Sequence, residues 1–216
     1  MNIDIAGRRA IVAGGSRGIG RAIALAFAEA GAGVSICARG AEPLNATRDE
    51  IARYGGVAHA AVCDLSNAAA IPLYIAEAAD ALGGIDILVN NASGFGTTDD
   101  EAGWATSISV DLLSTVRATR AALPHLEKSD AGLILNISSI SGFKASVRTP
   151  PYGAVKAAIL EYTLTQAAAL ARKNIRVNCI APGSIEFPGG TWARAKANNP
   201  DLYRAILRSI PFGRLG

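Results

Sequence analysis

A tyrosine and a lysine four residues apart, Tyr152 and Lys156, are the side chains in this sequence best suited to do chemistry, with the hydroxyls of Ser138 and Ser139 a short way upstream. Pro150 and Pro151 precede the tyrosine and an alanine-rich stretch follows. Proline is tolerated in the first turn of a helix, so a helix is predicted to start here. Tyr152 then lies near its N-terminus, with Lys156 one turn later on the same face. A phenol ordinarily titrates near pH ~10. A neighbouring ammonium and the positive end of a helix dipole both favour the phenolate. The expectation is a tyrosine made to act as acid and base near neutral pH. The spacing alone also describes a helix with a surface tyrosine and lysine, so its setting decides.

That setting is an alternation of strand and helix. Apolar strand-like runs are read at 9–13, 34–38, 57–62, 85–89, 133–137 and 175–180. Helical periodicity is read at 21–30, up to 53, at about 67–82, at 101–126, and from the two prolines to about 172. Glycines punctuate the joints: Gly31 and Gly33, the pair Gly55-Gly56, and Gly83-Gly84. Such alternation with short joints predicts βαβ units and one open parallel sheet, a single domain spanning 1–216. Composition agrees. Half of the 216 residues are hydrophobic, only 6% are aromatic and 18% charged, as expected for parallel strands covered on both faces.

The carboxyl ends of such strands form a ligand crevice. After the first strand comes Gly14-Gly15-Ser16-Arg17-Gly18-Ile19-Gly20, a GxxxGxG loop opening a helix. Glycines permit a tight turn and close approach of backbone to a pyrophosphate, and the helix N-terminus supplies free N–H groups. The alternative is a bare strand-to-helix joint. The second strand ends Cys37-Ala38-Arg39-Gly40 without the carboxylate that would bond a ribose 2′-hydroxyl. Arg39, with Arg17 in the loop, suits a 2′-phosphate, so NADP(H) is expected over NAD(H); two solvated arginines are the other reading. Asn90-Asn91-Ala92 follows the fourth strand, where amides either fix the sheet or line the cofactor site, and Asn136-Ile137-Ser138-Ser139 closes the fifth with hydroxyls at the crevice.

Several function classes are disfavoured. The net charge of +3 carries no Lys/Arg run of the kind that tracks nucleic acid. Cys37, Cys63 and Cys179 have no CxxC or Cys/His spacing, so no metal site is expected, and reduced thiols of a cytoplasmic protein are. Residues 1–7 lack a signal-peptide pattern, and no apolar run is long enough to span a membrane.

Taken in order, the glycine loop, Asp64, Asn90-Asn91-Ala92, Ser139, Tyr152, Lys156 and Pro182-Gly183 resemble the short-chain dehydrogenase/reductase family over essentially the whole chain. The resemblance implies a Rossmann-like, doubly wound parallel sheet and nicotinamide-dependent interconversion of a carbonyl and an alcohol. By that resemblance Tyr152 is the general acid or base. Lys156 lowers its pKa and holds the nicotinamide ribose. Ser139, rather than Ser138, polarises the substrate carbonyl. The cofactor would meet Gly14, Ser16, Arg17, Gly18, Ile19, Gly20 and Arg39, Asp64 and Leu65 near the adenine, Asn90 and Ala92 beside the ribose, and Pro182, Gly183 and Ile185 at the carboxamide. A small-molecule substrate and a homodimer or homotetramer are implied.

Departures from the family pattern are Ala13 for a threonine, Ser93 for a glycine, and Phe187 for a small hydroxyl residue. Asp111 stands where an asparagine often completes the catalytic group through a water. It is kept as a possible catalytic member that adds a charge near Lys156. The resemblance also implies a further helix and strand after Pro211–Gly216; they are missing from this sequence, which would leave a sheet edge unpaired. Residues 187–210 are read as a Gly-rich loop and one helix covering the substrate, with Phe187, Trp192, Phe95 and Phe143 as candidates for an apolar lid. A catalytically weak NADP-binding sensor on the same fold is the competing reading.

Overall fold

The computed structural model describes residues 5–216. Six parallel strands form one sheet: β1 (Arg9–Ala13), β2 (Gly33–Ala38), β3 (Ala58–Val62), β4 (Ile87–Asn90), β5 (Leu133–Ile137) and β6 (Arg176–Ile180). Their spatial order is β3-β2-β1-β4-β5-β6. The chain winds outward from β1 in one direction and then, from β4, in the other. The switch between β1 and β4 leaves the crevice in which such sheets bind ligands.

Side chains along a strand point alternately to the two faces, and the core divides accordingly. Ile11, Ala13 and Leu88 pack with Ile71 and Ile75 of helix α3 (Ala70–Leu82) and Ala118 and Leu126 of α5 (Ser114–Leu126). On the other face Ala10, Val12, Ile87 and Val89 meet Ala24 and Ala28 of α1 (Gly18–Glu29), and Leu44 and Ile51 of α2 (Ala41–Ala52). Both faces are covered, which is why these strands read as continuous apolar runs.

Three elements differ from the sequence reading. Helix α1 begins at Gly18, inside the glycine loop, rather than at 21. The long helix expected over 101–126 is α4 (Glu101–Thr106), a π-helical stretch Ser107–Leu113, and α5. A widened turn of this kind leaves no mark in hydrophobic periodicity and is frequent at functional sites. The single helix expected within 187–210 is two, α7 (Thr191–Asn198) and α8 (Pro200–Ser209). Asn199 restarts the chain: its side chain accepts a hydrogen bond from Leu202 N at 3.1 Å, and Pro200 sits in the first turn. The helix carrying the tyrosine, α6 (Pro150–Leu170), begins at the first proline and ends in one 3₁₀ turn, Ala171–Lys173.

Candidate active site

The glycine loop is fixed from two sides. Gly14 N and Gly15 N donate to Cys37 O of β2 at 2.9 and 3.1 Å, and Asn91 Nδ2 donates to Gly14 O at 3.0 Å and Ala13 O at 3.3 Å. A Cβ at Gly20 would stand 2.2 Å from Gly14 O, so only glycine fits. Gly14 itself has φ +77°, with Ala92 packed against it. Thr47 Oγ1 donates to Ser16 O at 3.2 Å. Arg17 caps α1 with no side-chain hydrogen bond to the first turn, and that turn holds no acidic residue. Its N–H donors and dipole end are therefore available to an anion, and the loop fits a dinucleotide diphosphate. The ring of Phe187 borders it: a Cβ at Gly18 would meet that ring at 2.8 Å.

Arg17 and Arg39 are exposed, and neither forms an ion pair among the described residues. Asp64, just past β3, accepts from Ser66 N at 2.9 Å and Ser66 Oγ at 2.8 Å. Those two bonds hold its carboxyl below the usual range, and the Arg39 charge acts in the same sense. Leu65 is turned into the core. Asn90 is buried and donates to Asn136 Oδ1 at 2.9 Å and Thr119 Oγ1 at 3.2 Å. Its side chain braces β4 against β5 and α5 and does not point to the crevice.

At the end of β5 the two serines separate. Ser138 Oγ donates to Lys156 O at 2.7 Å, which holds α6 to the strand. Ser139 Oγ accepts from Ser141 N at 3.1 Å and acts on the Tyr152 hydroxyl so as to lower its pKa. Tyr152 is half-buried, with Phe95 edge-on at 4.9 Å between ring centroids. Phe95 adopts φ +52°, in the left-handed region a bulky side chain rarely enters. Lys156 is buried. Its Nζ donates to Ile137 O at 3.0 Å and lies 5.5 Å from the Tyr152 ring centroid.

Asp111, in the π-helical stretch, is wholly buried. Its Oδ2 accepts from Gly94 N at 2.9 Å, and its Oδ1 lies 3.1 Å from Lys156 Nζ as an ion pair without a directed hydrogen bond. The expectation that Lys156 draws the phenol toward neutral pH is corrected by this arrangement. Burial pushes the Tyr152 phenol above its ordinary value. The Ser139 hydrogen bond opposes that rise and the Asp111 charge adds to it.

The segment after β6 completes the crevice. Pro182 O accepts from Ile140 N at 3.1 Å. Ser184 and Glu186 exchange backbone bonds with Gly216, at 3.1 and 2.9 Å, and Ile185 touches Gly216. Tyr203 of α8 donates to Glu186 Oε2 at 2.7 Å. This anchor and the Gly94–Asp111 bond are absent from the sequence reading. Asn91, beside a recognised motif residue, had a signal that was legible.

The pattern of a short chain dehydrogenase matches residues 8–198. The chain belongs to the short chain dehydrogenase family. Membership makes it a NAD(P)-dependent oxidoreductase acting on CH–OH groups. It is 36% identical to the 3-oxoacyl-[acyl-carrier-protein] reductase FabG of Chlamydia pneumoniae, over 100% of this chain and 87% of that one. The structure of a Pseudomonas aeruginosa RhlG/NADP active-site complex superimposes with TM-score 0.89 at 35% identity, covering 99% of this chain and 85% of that one. A 7α-hydroxysteroid dehydrogenase complexed with NADH and 7-oxoglycochenodeoxycholic acid gives TM-score 0.91 at 33% identity, over 100% and 84%.

Proposed function

We propose that this chain interconverts a ketone, including a 3-oxoacyl group, and a secondary alcohol with NADP(H) in preference to NAD(H). The observation that carries the reading is the convergence of Ser139, Tyr152 and Lys156 at the carboxyl ends of β5 and α6's first turns, beside a glycine loop with uncapped donors. The loop from Gly14 to Gly20 holds the diphosphate through its backbone. Arg17 and Arg39 clamp the 2′-phosphate, Asp64 and Leu65 border the adenine, Ala92 and the backbone at Asn90 border the ribose, and Pro182, Gly183 and Ile185 frame the carboxamide. A bound nicotinamide supplies or accepts the hydride. In reduction Ser139 donates a hydrogen bond to the substrate carbonyl oxygen, and Tyr152 gives its proton to that oxygen as negative charge develops. In oxidation the phenolate takes the proton back. Lys156 positions the ribose.

The absence of a carboxylate at the end of β2 supports the cofactor preference, while the neighbours named above hold either cofactor. No helix among the described residues is long and apolar enough to cross a membrane. A homodimer or homotetramer in the cytoplasm is the setting the resemblance implies. The competing reading, an NADP-binding sensor, draws on the Asp111–Lys156 pair.

The test is turnover of a panel of ketones and 3-oxoacyl thioesters with NADPH and with NADH, alongside Tyr152→Phe. Turnover that Tyr152→Phe lowers by about 10²–10⁴-fold, with cofactor binding kept, is expected. Tight NADPH binding with no turnover of any compound favours the sensor and sinks the enzymatic reading.

A further inference from the structure

We propose that Asp111 governs the protonation of Tyr152 through Lys156: as the buried counter-ion of that ammonium it keeps the phenol protonated through the neutral range, favouring carbonyl reduction and confining alcohol oxidation to alkaline pH. The inference rests on the acid–base role proposed for Tyr152. Asp111 is a positioning residue here, since its contacts are to Lys156 and to backbone rather than to the tyrosine.

Three observations carry it. First, Asp111 has no access to water and Lys156 almost none, so their charges face each other with little screening. Second, the carboxylate is held in place. Gly94 N donates to Oδ2 at 2.9 Å, and the π-helical turn presents Oδ1 to Nζ at 3.1 Å. Third, the ammonium's other recorded partner is the carbonyl of Ile137, at 3.0 Å. Nζ is thus drawn toward β5 and the π-helical turn, and it stands 5.5 Å from the Tyr152 ring centroid. A lone ammonium at that distance favours the phenolate; an ammonium with a carboxylate at contact is close to neutral as seen from the ring.

The groups facing this cluster come from each element around it. Burial raises the Tyr152 phenol, Ser139 at the end of β5 lowers it, and Asp111 raises it again. From β6, the Cys179 thiol feels the Lys156 charge, though burial lifts it above its ordinary value. Ser138 and Thr163 add hydroxyls, not charges. Asp111 is therefore the negative charge set against Lys156 in this cluster, and its removal is the change expected to release the ammonium toward the tyrosine.

Asp111→Asn keeps the acceptor for Gly94 N and the side-chain shape while removing the charge. The full chain and the variant are labelled with ¹³Cζ-tyrosine and titrated by NMR, with the Tyr152 signal assigned by Tyr152→Phe. The Tyr152 midpoint is expected to fall by about 1–2 pH units in Asp111→Asn, and the alkaline limb of alcohol oxidation to move the same way. Equal midpoints in the two proteins overturn the proposal. So does a Tyr152 midpoint below about pH 9 in the unaltered chain, a result that needs no variant to fold. The titration uses neither cofactor nor substrate, so a chain that turns nothing over fails the proposed function and still reports on Asp111.

Discussion

Two aspartates each meet a cation at opposite edges of the same sheet, and they do different work. At the amino edge Asp86, just before β4, accepts from Arg9 N at 2.9 Å, Arg9 Nε at 2.8 Å, Arg9 Nη2 at 2.7 Å and Ser129 Oγ at 2.5 Å. Arg9 also donates to Gly83 O at 2.6 Å. Burial alone would raise this carboxyl, but the bonds from Arg9 and Ser129 outweigh it and bring it to about 2. At the carboxyl edge Asp111 has one backbone N–H and one ammonium, in full burial. Multiple directed bonds to a planar guanidinium make a clamp. A single ion pair on a flexible lysine, with a carboxylate oxygen left without a directed bond, makes a pair whose charge balance still bears on its neighbours. Hydrogen-bond satisfaction, more than burial, separates the two pairs.

The comparison breaks most visibly if the cations are removed. Lys156→Met leaves a buried carboxylate unpaired, which costs about 3–5 kcal/mol of stability, and turnover falls as well. Arg9→Met should cost less, since Asp86 keeps Ser129 and the Arg9 backbone N–H. Denaturant unfolding of both variants checks the order; an equal or larger loss at Arg9 refutes it. Next in size is Asp86→Asn. Its folded value lies below the unfolded one, so its stabilisation is complete above about pH 5 and fades as pH falls through about 4 toward 2. Discounted for screening at the half-exposed Arg9, it amounts to about 1–2 kcal/mol at neutral pH. Acid titration of stability should lose that window in Asp86→Asn while the pH profile of turnover stays put. A shifted turnover profile would show that the amino edge reaches the chemistry after all. The smallest effect is expected from Phe187→Ala, which clears the ring from Gly18. NADPH affinity should change by a few-fold, with unfolding altered by less than about 1 kcal/mol; a large loss of stability would make Phe187 a packing residue instead.

Much of this was legible in the sequence because each signal was local. The alternation of strand and helix in one parallel sheet follows from apolar runs and short glycine joints, and the tyrosine helix from Pro150 and Pro151. The position of Asp111 and the charge it adds near Lys156 were legible, but the direct contact was not. Its partner is 45 residues away in the chain, on another helix, and the π-helical stretch that aims it at Lys156 leaves the periodicity of 101–126 intact. The expected acidic phenol is opposed first by burial, which the Tyr152/Lys156 spacing does not encode, and then by the Asp111 charge. Asn90 takes the first of the two roles open to an amide at that position: its side chain turns inward to a buried amide ladder with Asn136 and Thr163. The restart at Asn199-Pro200 carried an ordinary capping signal that a search for one amphipathic lid passed over.

The way Gly20 is wedged against Gly14 O and Asn91 Nδ2 also decides where this site is open to redesign. That packing tolerates no new side chain, so mutational paths to a different cofactor are closed along the floor of the loop. They remain open at its rim, where Arg17 in the loop and Arg39 after β2 are exposed without ion-pair partners among the described residues. Selection can exchange the rim residues one at a time while the floor stays as it is.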